Sequence, residues 1–308
     1  MDYIIHKTIG TGRFVAAYQL GVPRNGLYTL KITDKTTTDV SERDIRDGVE
    51  AAIDKLRHIH IQHCFAYHID EHRRLLLLLE PVKHSLLDAI RQKPFHHFYL
   101  LRQAHRDQSL LWFAQMADGV QYLHAQNICH RDLRTDHVFL DENDDVKLGD
   151  LGLLNKQETR AKSFNFFGGV FNEPCYMGPE MFNNEKYTSK TDIWSLGCVF
   201  YEVFYGKPAF VYSEAKQIFV KKKMPAFRYR DVYVLIGQML EIDREQRIDA
   251  KSVVKHVNSL RGAEYEKPDF MPFSEVSIEW EKVTKAVKKH NNPRPARGAD
   301  ERGGCSIS

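Results

Sequence analysis

The feature that most constrains this chain is a pair of short motifs, His130-Arg131-Asp132-Leu133 and Asp150-Leu151-Gly152, whose aspartates lie eighteen residues apart. A helical pattern precedes the first motif. Two apolar runs, Val138-Phe139-Leu140 and Val146-Lys147-Leu148, separate it from the second and read as a pair of strands. Downstream come Gly178-Pro179-Glu180, Asp192-Ile193-Trp194-Ser195-Leu196-Gly197 and Arg247. Two unrelated surface aspartates in turns would leave that succession unexplained.

Upstream, Gly10-Thr11-Gly12 lies between two strand-like runs. Glycines there let backbone amides approach an anion without a Cβ in the way. A third glycine is expected at position 15, where Val15 stands, so a plain hairpin turn is the competing reading. Twenty-one residues after Gly10, Tyr28-Thr29-Leu30-Lys31 puts a lysine into an apolar strand. A buried cation needs an anionic partner such as a nucleotide phosphate, the alternative being a lysine that snorkels to the surface. A dinucleotide-binding reading of the glycines fails, because the strand-helix order and acidic residue of that fold are missing.

The 308 residues, 43% hydrophobic and 28% charged, can bury a large core in one domain or two lobes. The first eighty read as strands (14–20, 27–33, 73–79) around one helix, 44–56. After Pro81 the pattern becomes helical, as in 109–126, with 95–108 a polar insertion ahead of that helix. Val276, Trp280, Val283 and Val287 line one helix face in a tail, 263–308, whose end loses apolar periodicity. No apolar run approaches the length of a membrane span, and the N-terminus lacks a cleavable apolar stretch, so the cytosol is expected. Five scattered cysteines fit free thiols, and a net charge of +3 is too small to argue for nucleic acid.

Across residues 1 to about 262 the chain resembles a eukaryotic protein kinase, and within that superfamily it is most similar to the NIMA-related kinases. The finer likeness rests on His137-Val138-Phe139-Leu140-Asp141, Val146 to Asp150, Cys175 to Glu180 and Lys186 to Cys198. The resemblance implies an α+β, two-lobed kinase fold, with a β-rich N-lobe (about 1–80), a hinge (about 80–83) and a helical C-lobe (about 84–262). It implies ATP and magnesium, or manganese, as cofactors and protein substrates as partners. Asp132 would orient the attacking hydroxyl, Asp150 would hold the metal, Lys31 would meet the phosphates, and Arg134 would add a cation near the transferring group. Ile9, Gly10, Gly12, Val15 and Ala17 would cover the nucleotide. Glu80 to Val82 would form the adenine hinge behind Leu79, and Glu180 and Arg247 an ion pair anchoring the activation segment. The stretch from Pro174 to Met177 resembles the serine/threonine class.

Several positions depart from that pattern. The metal-binding asparagine expected five residues after Asp132 is His137, whose imidazole suits softer metals than magnesium, so one metal site should weaken. Asp136 beside it need not point into the cleft. Ala17 and Thr29 make the adenine ceiling smaller and more polar. The helix acid opposite Lys31 is expected at Glu50, with Val49 the alternative register. Glu173 brings negative charge near Asp132. Transfer is impaired on this reading, and a pseudokinase acting as a scaffold is the rival.

Three outlying features complete the reading. Arg131 could receive a phosphorylated activation segment, with Thr159 and Ser163 as candidate sites. His58, His60, His63, Cys64, His68 and His72 are dense enough to suggest metal, but their spacing matches no zinc pattern. Cys305-Ser306-Ile307-Ser308 forms a C-a-a-X box after a basic stretch, so Cys305 is a lipidation candidate that would attach the chain to an acidic membrane.

Overall fold

The computed structural model describes residues 2–11, 15–33, 42–92, 99–151, 174–183, 185–213, 218–221, 230–273 and 276–291. Alternation of apolar and polar residues sets the small lobe. Strands β1 (Ile4–Thr11), β2 (Val15–Val22), β3 (Gly26–Thr33), β4 (Cys64–Ile69) and β5 (Leu75–Leu79) form one antiparallel sheet in the order β1-β2-β3-β5-β4. β3 and β5 are central and buried along most of their length: β5 is a continuous apolar run, whereas β3 alternates and buries Thr29, Lys31 and Thr33 as well. Helix α1 (Glu42–Lys55) turns Ile45 and Val49 onto Leu75, closing one face.

A strand pair β6 (His84–Ser85) and β7 (Val138–Leu140), extended by β8 (Val146–Leu148), lies where the large lobe begins. Helix α2 (Leu86–Gln92) follows β6. Helix α3 (Tyr99–Ala125) buries Leu110, Phe113, Met116, Ala117 and Val120 against α5 (Ser189–Tyr205) and its neighbours. The expected insertion before the long helix is not a separate element: α3 starts at Tyr99, so residues 99–108 are its first turns, and 93–98 lie outside the described residues. Helix α4 (Pro179–Phe182), strands β9 (Phe210–Ser213) and β10 (Ile218–Lys221), and helices α6 (Arg230–Met239) and α7 (Ala250–Arg261) complete the lobe. Gly197 lets α5 approach the end of α6, since a Cβ there would sit 2.9 Å from the Met239 Cβ. Asp249 caps α7 by accepting from the Ser252 amide at 2.8 Å.

After Gly262, which ends α7 at φ 74°, the chain runs back to the small lobe. Four of the six residues of the histidine-rich cluster are packing partners for this return. His60 is neutral, its pKa lowered to about 4 by burial, so its Nδ1–H donates to the Val146 carbonyl while Nε2 accepts from the Tyr265 hydroxyl at 2.5 Å. His58 lies 3.1 Å from the Asp118 carboxylate, which Lys267 approaches at 3.7 Å. His63 stacks on Phe273 and His68 on Trp280. Among the described residues no His, Cys, Asp or Glu cluster is placed to hold a metal.

Helix α8 (Trp280–Asn291) lies on β1 and β2 and buries Val283 and Val287 with Tyr3, Tyr18, Leu20 and Val22. The Glu279 amide donates to the Tyr3 hydroxyl at 2.9 Å. Val276, expected on the same helix face, precedes the helix but packs on the same cluster. Among the described residues no helix is long and apolar enough to cross a membrane.

Because Val283 is fully buried on the sheet, Val283→Asp should cost about 3 kcal/mol, the penalty of an unpaired buried charge plus lost packing. Urea unfolding should show a lowered midpoint, whereas Lys288→Asp on the exposed face of the same helix should shift it by under about 1 kcal/mol.

Candidate active site

The loop carrying Asp132 is fixed from below by Asp192 in the first turn of α5, whose side chain is fully buried. Its carboxylate accepts from the His130 amide at 2.8 Å, the Arg131 amide at 2.9 Å and the Tyr187 hydroxyl at 2.5 Å, and meets His124 Nε2 at 2.8 Å. Burial alone would raise its pKa, but these donors hold it below the ordinary value. Immediately after the second anchored amide Arg131 takes φ 73°, a left-handed conformation that costs an L residue roughly 1–2 kcal/mol. The strain carries Asp132 to the cleft floor.

Asp150 follows β8, also in the left-handed region at φ 53°. The preceding Gly149 is required by crowding, since a Cβ there would lie 2.6 Å from the Phe139 ring. From the roof, Lys31 on β3 reaches down to pair with Asp150, both side chains being largely buried. Lys31 and Asp150, read separately from the sequence, therefore meet across the cleft.

His137 stands between the two aspartates. Its Nδ1 lies 3.0 Å from the Asp132 carbonyl and 3.2 Å from the Asp132 carboxylate, and its Nε2 lies 3.5 Å from Asp150 Oδ2. Burial disfavours the charged ring, but the two carboxylates outweigh it and raise its pKa to about 9. The same ring acts on Asp132 against burial and holds that carboxyl at about 2. At neutral pH His137 is thus an imidazolium whose Nδ1–H donates to the Asp132 carbonyl while Nε2 faces the Asp150 carboxylate as a longer ion pair. In this arrangement both ring nitrogens face the two aspartates, in keeping with the weakened metal site expected from an imidazole at this position. Asp136 does not replace it, because its carboxylate is held by Arg134 Nε at 2.5 Å.

Magnesium requires several oxygen ligands. Asp150 presents one carboxylate to the cleft, engaged in this arrangement by Lys31 and His137; a magnesium ion held there would take Asp150 together with phosphate oxygens and water.

The expected partner of Lys31 on α1 also needs correction. Glu50 faces outward, where its carboxylate accepts from the Tyr67 hydroxyl at 2.5 Å. Val49, in the alternative register, points inward. It lines a cavity of about 70 Å³ with Lys31, Leu56, Leu77, Leu79 and Asp150. A one-residue difference in helix phase rotates a side chain by about 100°, enough to exchange a carboxylate for an isopropyl group.

At the back of the cleft the hinge groups are bonded within the protein. The Val82 amide donates to the Thr29 hydroxyl at 3.3 Å, and the Gln62 side-chain amide donates to the Glu80 carbonyl at 2.9 Å. The Glu80 carboxylate pairs with Lys147 at 2.6 Å, and burial raises its pKa against that pull. Thr29 was visible in the sequence as a polar departure. Gln62 was not, since nothing local marks it as facing the hinge.

Of the remaining candidates, Ile9 and Gly10 lie on β1, and Val15 and Ala17 on β2, with Gly10 opposite Ala17 and Ala17 opposite Lys31. Arg134 lies 5.9 Å from the Tyr176 ring and Arg131 6.0 Å from that of Tyr187. Glu180 and Arg247 meet as a buried bidentate pair, at 2.8 and 3.0 Å, beneath the Trp194 ring. Gly12, Thr159, Ser163, Glu173 and Cys305 lie outside the described residues.

The two lobes, the hinge and this array of lysine and aspartates define a protein-kinase cleft. The protein kinase domain model matches residues 3–258, and the chain belongs to that family. It is 26% identical over 84% of its length to serine/threonine-protein kinase PLK2 of Mus musculus, and 29% over 82% to Nek5 of Homo sapiens. It is also 28% identical over 83% to an Aurora kinase of Eremothecium gossypii, covering 68% of that protein. Of PLK2 and Nek5 it spans only 38% and 36%. The relatives thus come from several serine/threonine kinase groups, and the likeness is not confined to the NIMA-related one.

The charge on His137 has a testable pH signature. Its folded pKa is raised from 6.5 to about 9, so its pairing contributes fully below 6.5 and is lost as pH rises through 9. The unfolding free energy of the wild type should fall by up to about 3 kcal/mol more than that of His137→Asn over this window. Parallel denaturation curves for the two proteins would contradict the imidazolium assignment.

Proposed function

We propose that this chain is a serine/threonine-type protein kinase with attenuated transfer of the ATP γ-phosphate to protein hydroxyls. The observation that supports this most is the convergence of Lys31, Asp132 and Asp150 on one cleft, joined through His137. Asp132 is ionised and its side chain is 45% exposed, so it is available to orient an incoming hydroxyl. Lys31 supplies positive charge for phosphate, and Arg134 stands two residues from Asp132 as a second cation. The stretch around Pro174 to Met177 supports a serine or threonine acceptor.

The attenuation follows from charge. In an open kinase cleft, lysine and divalent cations neutralise phosphate. Here the carboxylates are already neutralised by Lys31 and His137, so nucleotide and metal must displace interactions made within the protein. A non-catalytic scaffold is the second reading, favoured by Glu50 facing outward and leaving Val49 beside Lys31.

Phosphate incorporation by wild type, Asp132→Asn and His137→Asn, each with magnesium and with manganese, separates the two. Weak wild-type incorporation is expected, lost in Asp132→Asn and raised at least tenfold in His137→Asn, where an amide oxygen replaces the imidazolium. Incorporation no greater in wild type than in Asp132→Asn under both metals would leave the scaffold reading standing.

A further inference from the structure

The hinge hydrogen bonds lead beyond the question of transfer, while resting on the reading of this cleft as a nucleotide site. An adenine edge offers an N6–H donor beside a ring-nitrogen acceptor, and a protein reads it with one carbonyl and one amide. The stretch Glu80 to Val82 carries such a pair, and in this chain both members are used. The Val82 amide is given to Thr29 and the Glu80 carbonyl receives Gln62. The surroundings are closed as well: Val82 is 2% exposed, Thr29 4% and Gln62 8%.

Neither partner is placed by accident of rotamer alone. Thr29 lies on the central strand β3, opposite Leu79 of β5, so its position relative to the hinge is set by strand register. Gln62 sits between the bridge from Ile61 to Leu148 and the start of β4, and its own amide donates to the Leu148 carbonyl at 2.9 Å. Its side-chain oxygen lies where a Cβ on Gly149 would touch it, so the side chain is held between the hinge and the residue preceding Asp150.

We propose that Thr29 and Gln62 close the hinge against purine bases, making them the specificity-determining residues of this cleft. A nucleoside triphosphate is then held mainly through its phosphates, and adenine and guanine are poorly distinguished. Adenine must break two internal hydrogen bonds to make two of its own, so the exchange yields almost no net selectivity. Removing the internal partners leaves an unpaired amide and carbonyl that adenine satisfies and guanine, with its donor and acceptor reversed on that edge, does not.

The test uses adenosine and guanosine, which lack phosphates and therefore report the hinge without Lys31, metal or transfer. Binding is measured by calorimetry or by ligand-observed NMR on the full chain. The proteins are wild type, Thr29→Ser, Thr29→Val, Gln62→Leu and the Thr29→Val/Gln62→Leu double variant, with the fold of each checked by circular dichroism. Thr29→Val keeps the side-chain shape while removing the hydroxyl. Adenosine affinity should rise about fivefold in each of Thr29→Val and Gln62→Leu, and further in the double variant, with guanosine unchanged. Thr29→Ser, which keeps the hydroxyl, should match wild type.

Equal adenosine affinity in wild type and the folded double variant would overturn the proposal, as would a wild type that already prefers adenosine over guanosine tenfold. No detectable adenosine binding by the folded double variant would also overturn it. The outcome is independent of transfer: adenosine gained by a double variant that never incorporates phosphate would retain the closed hinge and remove the kinase reading. Phosphate incorporation without that gain would do the reverse.

Discussion

The cleft depends on one buried carboxylate. Asp192 takes two consecutive backbone amides, and those two bonds keep Arg131 in a conformation that an L residue avoids. The direction in which Asp132 points is thereby decided from inside the large lobe, by a residue sixty positions away in sequence. A charged acceptor in such a site is worth more than a neutral one, since hydrogen bonds to ions are roughly twice as strong and the surroundings are poor in competing water. The Glu180–Arg247 pair does comparable work a little further down, where two buried ions are tolerable because each satisfies the other in bidentate geometry.

Upon this rigid floor the chemistry turns on one substitution. An uncharged side chain at position 137 would leave two carboxylates facing each other, with a divalent cation to offset them. The imidazolium instead supplies that positive charge from the chain itself. Its raised pKa and the depressed pKa of Asp132 are two views of the same interaction, since each group favours the charged form of the other.

Much of this was legible in the sequence, but unevenly. The motifs at 130–133 and 150–152 announce a cleft because their residue types are tied to backbone geometry and charge, and the large-lobe helices are marked by apolar periodicity. Helix phase was another matter: Glu50 and Val49 are adjacent letters, and only packing against Leu75 decides which faces Lys31. Asp136 and His137 were singled out, yet which of them enters the cleft follows from Arg134 claiming the first. Gln62 could not be found, because its role depends on the proximity of segments that the sequence keeps apart. The histidines were conspicuous by their density, though their spacing matches no zinc pattern; His60 and His63 meet a hydroxyl and a ring supplied two hundred residues later.

That last arrangement bears on how the chain acquires its structure. The outer face of β1 and β2, synthesised well before α8, is covered by that helix only when it arrives from near position 290. Until then Tyr3, Tyr18, Leu20 and Val22 have no cover from α8, and closing so long a loop carries an entropic cost before any contact repays it. The cover of the small-lobe sheet is therefore made only after the intervening large lobe has been synthesised. A ribosome-bound chain with most of its large lobe complete would still expose an adhesive sheet face, which is the circumstance in which chaperone capture or intermolecular pairing competes with folding.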